Sequence, residues 1–175
     1  IKSGTSVATL TGANSSVGAV TVEEGALSLG QTGNFSADSY LTASGDTTNI
    51  GSASKLVVPT AFTQADGPTL AVYVGTANSP AVKAGSASIG GDLNISGLLG
   101  VDHPAKASEL EDQQFRVIES DTAITGDFAR VDFGSVASPA DYLVAGGWKT
   151  DSDTVYVVGL GLAWEAGPSQ AHGTF

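Results

Sequence analysis

The chain has 175 residues, of which 41% are hydrophobic, enough for one domain with a continuous core or for a stack of repeat units. Its formal net charge of −11 argues against binding to nucleic acid or to anionic membranes, because both require a positive surface. The absence of cysteine excludes a disulfide framework and thiolate metal ligation.

Short β-prone runs, separated by Gly, Asn and Asp, recur through the first hundred residues. The runs cover residues 7–10, 20–22, 26–29, 55–58, 69–73 and 93–95. Segments this short predict strands, because a helix needs a longer periodic pattern. With 23 glycines and only seven Lys and Arg, the chain is typical of many strands joined by turns.

The spacing of apolar residues suggests a solenoid. Leu10 and Leu29 lie 19 residues apart, as do Leu70 and Ile89, and this period suits one coil. A single coil cannot cover its own apolar side chains, so stability must come from ladders of like residues on stacked coils. We therefore predict an all-β fold, a right-handed parallel β-helix with a C-terminal β-hairpin or sandwich-like cap.

The chain changes character near residue 100. Residues 1–100 carry three positive and six negative side chains, whereas residues 101–175 carry four and twelve. Residues 101–113 are the one charged, helix-like stretch and are interpreted as a connector. These observations divide the chain into coils of a stem, residues 1–100, and a cap, residues 101–175.

The last third of the chain is rich in aromatic residues and contains a predicted hairpin. Residues 155–164 alternate with a period of two, and the turn residues 150–153 precede them. A solenoid needs terminal units that protect its last edge, so we interpret these residues as a packed cap. The predicted core of the cap is Phe115, Val117, Phe128, Tyr142, Leu143, Trp148, Tyr156, Val158, Leu160, Leu162 and Trp164.

Two stretches resemble bacterial autotransporters, the proteins of type V secretion. Residues 4–30, GTSVATLTGANSSVGAVTVEEGALSLG, resemble the passenger-associated β-strand repeat, with its Thr-Leu-Thr-Gly-Ala-Asn, Gly, Thr-Val, Gly, Leu and Gly in the same order. Segments 115–118 (FRVI), 124–128 (ITGDF), 141–144 (DYLV) and 159–164 (GLGLAW) resemble the C-terminal passenger region of AIDA-like adhesins, called the autochaperone.

This resemblance implies a parallel β-helix displayed on the surface of a Gram-negative cell after secretion through the outer membrane. It implies a role in the vectorial folding of the passenger, with the upstream coils and the protein's own outer-membrane β-barrel as partners. A second interpretation is an adhesion or self-association module that contacts a host or neighbouring cell and supports aggregation, biofilm formation or virulence.

Enzymatic and metal-binding roles have little support in the sequence. A carbohydrate-active β-helix enzyme, the third interpretation, needs converging carboxylates, but the acidic residues of the stem are dispersed. His103 and His172 lack metal-ligand spacing, and neither Gly90-Gly91-Asp92 nor Asp151-Ser152-Asp153 continues as a calcium loop requires. We therefore predict a non-enzymatic protein without catalytic residues, cofactor or metal.

Overall fold

The computed structural model describes residues 1–30, 32–43, 46–74, 79–97, 114–133 and 143–162. Every regular element in these residues is a β-strand, as the composition predicts. The strands are β1 (Val7–Leu10), β2 (Ser15–Val22), β3 (Ala26–Leu29), β4 (Gly33–Thr42), β5 (Thr47–Ile50), β6 (Ser54–Gln64), β7 (Thr69–Val74), β8 (Val82–Ile89), β9 (Asp92–Gly97), β10 (Gln114–Ser120), β11 (Thr125–Gly126), β12 (Arg130–Phe133), β13 (Leu143–Thr150) and β14 (Val155–Leu162).

From β1 to β10, successive strands alternate between two sheets, which makes the fold a parallel β-solenoid of about four turns. The shorter strands form one sheet in the order β1-β3-β5-β7-β9-β12. The longer strands form the other sheet in the order β13-β14-β10-β8-β6-β4-β2, and β11 pairs with β8 beside this path. Each coil therefore adds one strand to each sheet, as the solenoid prediction requires.

The length of a coil increases along the chain. Leu10 pairs in register with Leu29, Leu29 with Ile50, Ile50 with Val72, and Val72 with Ile95, at separations of 19, 21, 22 and 23 residues. The prediction that Leu10 and Leu29 stack is confirmed.

The second predicted pair was wrong. Leu70 pairs with Leu93, and Ile89 lies in the other sheet opposite Gly126. The turns between strands vary in length, so an equal separation in sequence does not place two residues at equivalent points of the coil.

Strand β6 contains an extra residue relative to both of its neighbours. It advances four residues, from Val57 to Ala61, where β4 advances three, and it advances three, from Val58 to Ala61, where β8 advances two. Such a bulge changes which residues point inward, and it increases the local twist. In the neighbouring β4, the buried residues change from odd positions, Phe35 and Ala37, to even positions, Tyr40 and Thr42, so alternation in this part of the sequence is poor.

The core consists of side-chain ladders that run along the solenoid. One ladder stacks Phe35, Leu56, Val82 and Ile118, all at most 2% exposed. A second stack places the Tyr40 and Phe62 rings 6.1 Å apart and nearly parallel. Each such side chain contributes roughly 1.5–3 kcal/mol of burial, and only a neighbouring coil can provide it.

Parallel stacking continues as far as β12, which pairs with β9. Beyond it, β13 and β14 pair antiparallel with each other, and β14 pairs antiparallel with β10. The predicted connector at residues 101–113 lies outside the described residues, so the division of the chain at residue 100 stays a prediction. In the part of the chain that the structure describes, no helix has the length and apolar character needed to span a membrane.

Candidate functional site

The hairpin of β13 and β14 lies at one end of the longer-stranded sheet. Its register begins with Thr150 opposite Val155, and the turn between them contains three consecutive residues with positive φ, Asp151, Ser152 and Asp153. The Thr154 hydroxyl donates a hydrogen bond of 2.7 Å to the Asp151 carbonyl. Short polar side chains tolerate this left-handed conformation, which is why the predicted turn forms here.

Backbone bonds join the hairpin to the last coil. Along β10, Phe115 lies opposite Val158 and Ile118 opposite Tyr156. The N–H of Ser120 donates to the Thr154 carbonyl, and the N–H of Ile124 donates to the Asp153 carbonyl, each at 2.8 Å. Strand and turn are therefore both attached to the solenoid.

An aromatic cluster fills the space beneath the hairpin. The Tyr156 and Phe128 rings meet edge to face, with centroids 4.9 Å apart and an interplanar angle of 82°. Such a pair stabilises by about 0.5–1.5 kcal/mol beyond its buried area. A Cβ atom at Gly147 would lie 2.6 Å from the Tyr156 hydroxyl oxygen, so glycine at this position leaves room for the ring.

The buried Tyr156 phenol lies near a charged pair, Asp127 and Lys149. Burial, and then the negative charge of Asp127, raise the pKa of Tyr156 well above its ordinary value, so the ring stays neutral in neutral solution. The Lys149 ammonium lies 3.6 Å from Asp127, and its side chain is 17% exposed. This partly buried ion pair connects β13 to the segment that follows β11.

The hairpin strand β14 is buried on both faces. Tyr156 and Val158 belong to the central core, whereas Val155 and Val157 are also buried but lie outside that cluster. Trp148, directly opposite Val157, is half-buried. The sequence pattern predicted one bulky face for this strand, and it did not reveal the second buried face.

The structure brings together part of the predicted cap core. Five of its members are at most 3% exposed: Phe115, Val117, Phe128, Tyr156 and Val158. Tyr142 and Trp164 lie outside the described residues. Leu143, Leu160 and Leu162 occupy strand positions, but their side chains are outside the described part of the chain.

Sequence reasoning missed Gly147, Lys149 and Asp127. If residues are paired by counting outward from the turn, Lys149 falls opposite Tyr156 and Gly147 opposite Val158. The sequence therefore contained enough information to predict these two pairings. Asp127 follows β11, and only the fold brings it to the hairpin. The cluster of Gly147, Lys149, Tyr156, Phe128 and Asp127 is called the hairpin cluster below.

The acidic residues weighed as catalytic candidates lie in different environments. Asp38 and Asp66 are exposed, Asp92 is half-buried and Asp46 is buried. Arg116 pairs with Glu119 at 3.5 Å, and Arg130 pairs with Asp132 at 3.0 Å. Within the described residues, no group of three or more His, Cys, Asp and Glu side chains could hold a metal ion.

Comparison with known proteins gives no relative for this chain. No protein-family model, curated protein or solved structure matches it.

Proposed function

We propose that this chain is a non-enzymatic stem segment of a surface-displayed autotransporter passenger. In this proposal the last coil and the hairpin act as an autochaperone, on which preceding coils stack as the passenger emerges from its outer-membrane β-barrel. The resemblance of residues 4–30 and 115–164 to passenger sequences supports the cellular setting, and the solenoid fold is compatible with it.

The observation that carries the proposal is the difference between the two ends of the longer-stranded sheet. At one end, the edge of β2 accepts further parallel chain: Lys2 N–H donates to the Thr21 carbonyl at 2.7 Å, and Glu23 N–H donates to the Lys2 carbonyl at 2.8 Å. At the other end, β10 is covered by an antiparallel hairpin. One end is therefore suited to extension and the other to closure.

Stacking supplies a driving force without ATP. Each new coil buries its apolar ladder against the preceding one, whereas the first coil must order its backbone with no partner surface. The hairpin cluster provides apolar contacts that do not depend on a further parallel coil. We therefore expect folding to begin at this end and to proceed toward residue 1.

A pair of matched variants tests the direction of folding. Val158 in β14 and Val22 in β2 are both 0% exposed and belong to the same core. Alanine at either position removes roughly 1.5–3 kcal/mol of packing. We expect Val158→Ala to slow refolding and Val22→Ala mainly to accelerate unfolding, as measured by stopped-flow fluorescence in urea.

The secretion part of the proposal needs a cellular assay. The chain, fused to an outer-membrane barrel in a Gram-negative host, should reach the surface less efficiently with Val158→Ala than with Val22→Ala. Flow cytometry of an added epitope measures the difference. Equal display of two variants of equal stability would contradict the autochaperone role.

Self-association is a second candidate, favoured by exposed apolar side chains at the open end. Val7 in β1 is 63% exposed and Val17 in β2 is 45% exposed. Such an edge readily pairs with another chain. Sedimentation of the full chain over a range of concentrations tests this role. The variant Val17→Lys should abolish any association seen.

A further inference from the structure

One corner of the solenoid interior is polar, although the residues that stack on it from the preceding and the following coil are apolar. Thr48 stacks between Leu27 and Leu70. The polar side chains gathered at this corner are between 0% and 5% exposed, and they are called the polar corner: Tyr40, Thr42, Asp46, Thr48 and Gln64.

Three of these residues form a short hydroxyl chain. The Thr48 hydroxyl lies 3.1 Å from the Tyr40 hydroxyl and 2.9 Å from the Thr42 hydroxyl. Burial raises the pKa of Tyr40 far above its ordinary value, so its phenol remains a neutral partner in this chain. Each threonine oxygen keeps lone-pair capacity for a further ligand.

Two buried oxygen atoms of the corner have no partner. Gln64 donates from Nε2 to the Pro68 carbonyl at 2.9 Å and to the Asp92 carbonyl at 3.1 Å, whereas its Oε1 accepts no hydrogen bond. Asp46 Oδ2 is likewise buried without a hydrogen bond. An amide oxygen and a carboxylate oxygen are both acceptors, so neither can donate a hydrogen bond to the other.

Strand register brings these groups to the same corner. Thr42 pairs with Gln64 on the next coil, and Thr42 contacts Thr48, which lies two residues after Asp46. The Asp46 carbonyl accepts from Thr69 N–H, directly after the Pro68 whose carbonyl accepts from Gln64. Two successive coils therefore contribute buried oxygen-bearing side chains at neighbouring positions of the solenoid.

A buried carboxylate needs a compensating positive charge. The ion pairs found among the described residues join Lys83, Arg116, Arg130 and Lys149 to other carboxylates, and none includes Asp46. Neutral oxygen ligands around a single carboxylate suit hard metal cations such as sodium, potassium or calcium. Zinc, copper and nickel favour nitrogen or sulfur ligands, which this corner does not offer.

We propose that the polar corner binds one hard metal cation through Asp46 Oδ2, Gln64 Oε1 and the hydroxyl oxygens of Thr42 and Thr48. The cation would neutralise the buried carboxylate and, by coordination, would give each of the two unpartnered oxygens a ligand-binding role. It would also connect two successive coils, because Gln64 belongs to the coil after Thr42.

Salt-dependent unfolding of the full chain tests this site. Metal-free protein is melted in the chlorides of sodium, potassium and calcium, and in tetramethylammonium chloride at equal ionic strength. At least one metal salt should raise Tm in a saturable manner. Asp46→Asn should abolish that increase, whereas Asp38→Asn, at an exposed position of β4, should keep it.

Thr48→Val provides a second test, because it keeps the shape of the side chain while removing one ligand oxygen. Calorimetric titration should show the concentration for half-saturation rising about tenfold in this variant, which corresponds to a loss of about 1.4 kcal/mol of binding free energy. Identical melting in all four salts would overturn the proposal and leave an ordered water as the occupant. A cation effect that persists in Asp46→Asn would identify binding elsewhere and would also overturn it.

Discussion

Alanine at Gly147 offers the sharpest perturbation of the hairpin cluster. The added Cβ would lie 2.6 Å from both Cε1 and the hydroxyl oxygen of Tyr156, well inside contact distance. The ring cannot easily move away, since it is 1% exposed and packs edge to face on Phe128 at 4.9 Å. Gly147→Ala should therefore force a strained rotamer or shift β13 away from the core.

The expected cost of overpacking of this kind is about 1–3 kcal/mol. For a chain of this length, that corresponds to a Tm lower by roughly 2–12 °C. Gly146→Ala is the matched control, because a Cβ there meets nothing within 4 Å and the backbone is not left-handed. The control should be neutral or more stable by about 0.4–1 kcal/mol. Urea unfolding followed by tryptophan fluorescence measures both.

A double variant separates the ring contact from other effects of the added methyl group. In a Tyr156→Leu background, Gly147→Ala should cost much less, because the atoms it would meet are absent. If Gly147→Ala unfolds at the same urea concentration as Gly146→Ala, or if the cost is unchanged without the ring, then the described packing of Tyr156 is wrong.

Two further outcomes follow from the packing and the titration of buried groups. A Cβ at Gly85 would lie 2.2 Å from the Pro59 carbonyl oxygen at the bulge of β6, so Gly85→Ala should lower the urea midpoint, whereas Gly18→Ala, with open space around it, should not. The raised pKa of Tyr156 means that the folded state holds its proton longer than the unfolded state. Stability should therefore fall above pH 10, the ordinary tyrosine value, by up to about 1.4 kcal/mol per pH unit for this group. In Tyr156→Phe, the free energy of unfolding should fall less steeply with pH above pH 10. Urea titrations at a series of pH values measure this slope. A slope equal to that of the unaltered chain would contradict the burial of the phenol.

The sequence predicted the type of fold because its signals were local. Short apolar runs and turn residues were sufficient to identify strands such as β1 and β3, and the separation of Leu10 and Leu29 matched their pairing. Equivalent positions later in the chain could not be found from a fixed period, because the coil lengthens from 19 to 23 residues. The extra residue in β6 and the change of phase of the buried residues in β4 further disturbed the alternation.

The hairpin cluster was predicted only in part, for a related reason. Aromatic and aliphatic residues of β10 and β14 were recognisable from composition and alternation. Asp127 and Gly147 carry no apolar signal, and their roles depend on the Tyr156 ring that the fold places beside them. Side chains that act by leaving space or by supplying charge are visible only once their neighbours are known.

The two proposals concern different steps of assembly, and the register shows how they meet. If stacking begins at the hairpin, coils must add from β10 toward β2, and the polar corner lies on that path between β6 and β4. Solenoid stability is a sum of coil terms and nearest-neighbour interfaces, so an interface with buried oxygens that lack a partner is a weak point of the stack. An occupied corner would join the coils on both sides, whereas an empty one would leave the first two coils held mainly by their apolar ladders. If both proposals hold, the cation concentration controls how far folding propagates from the hairpin, although the hairpin itself contains no part of the cation site.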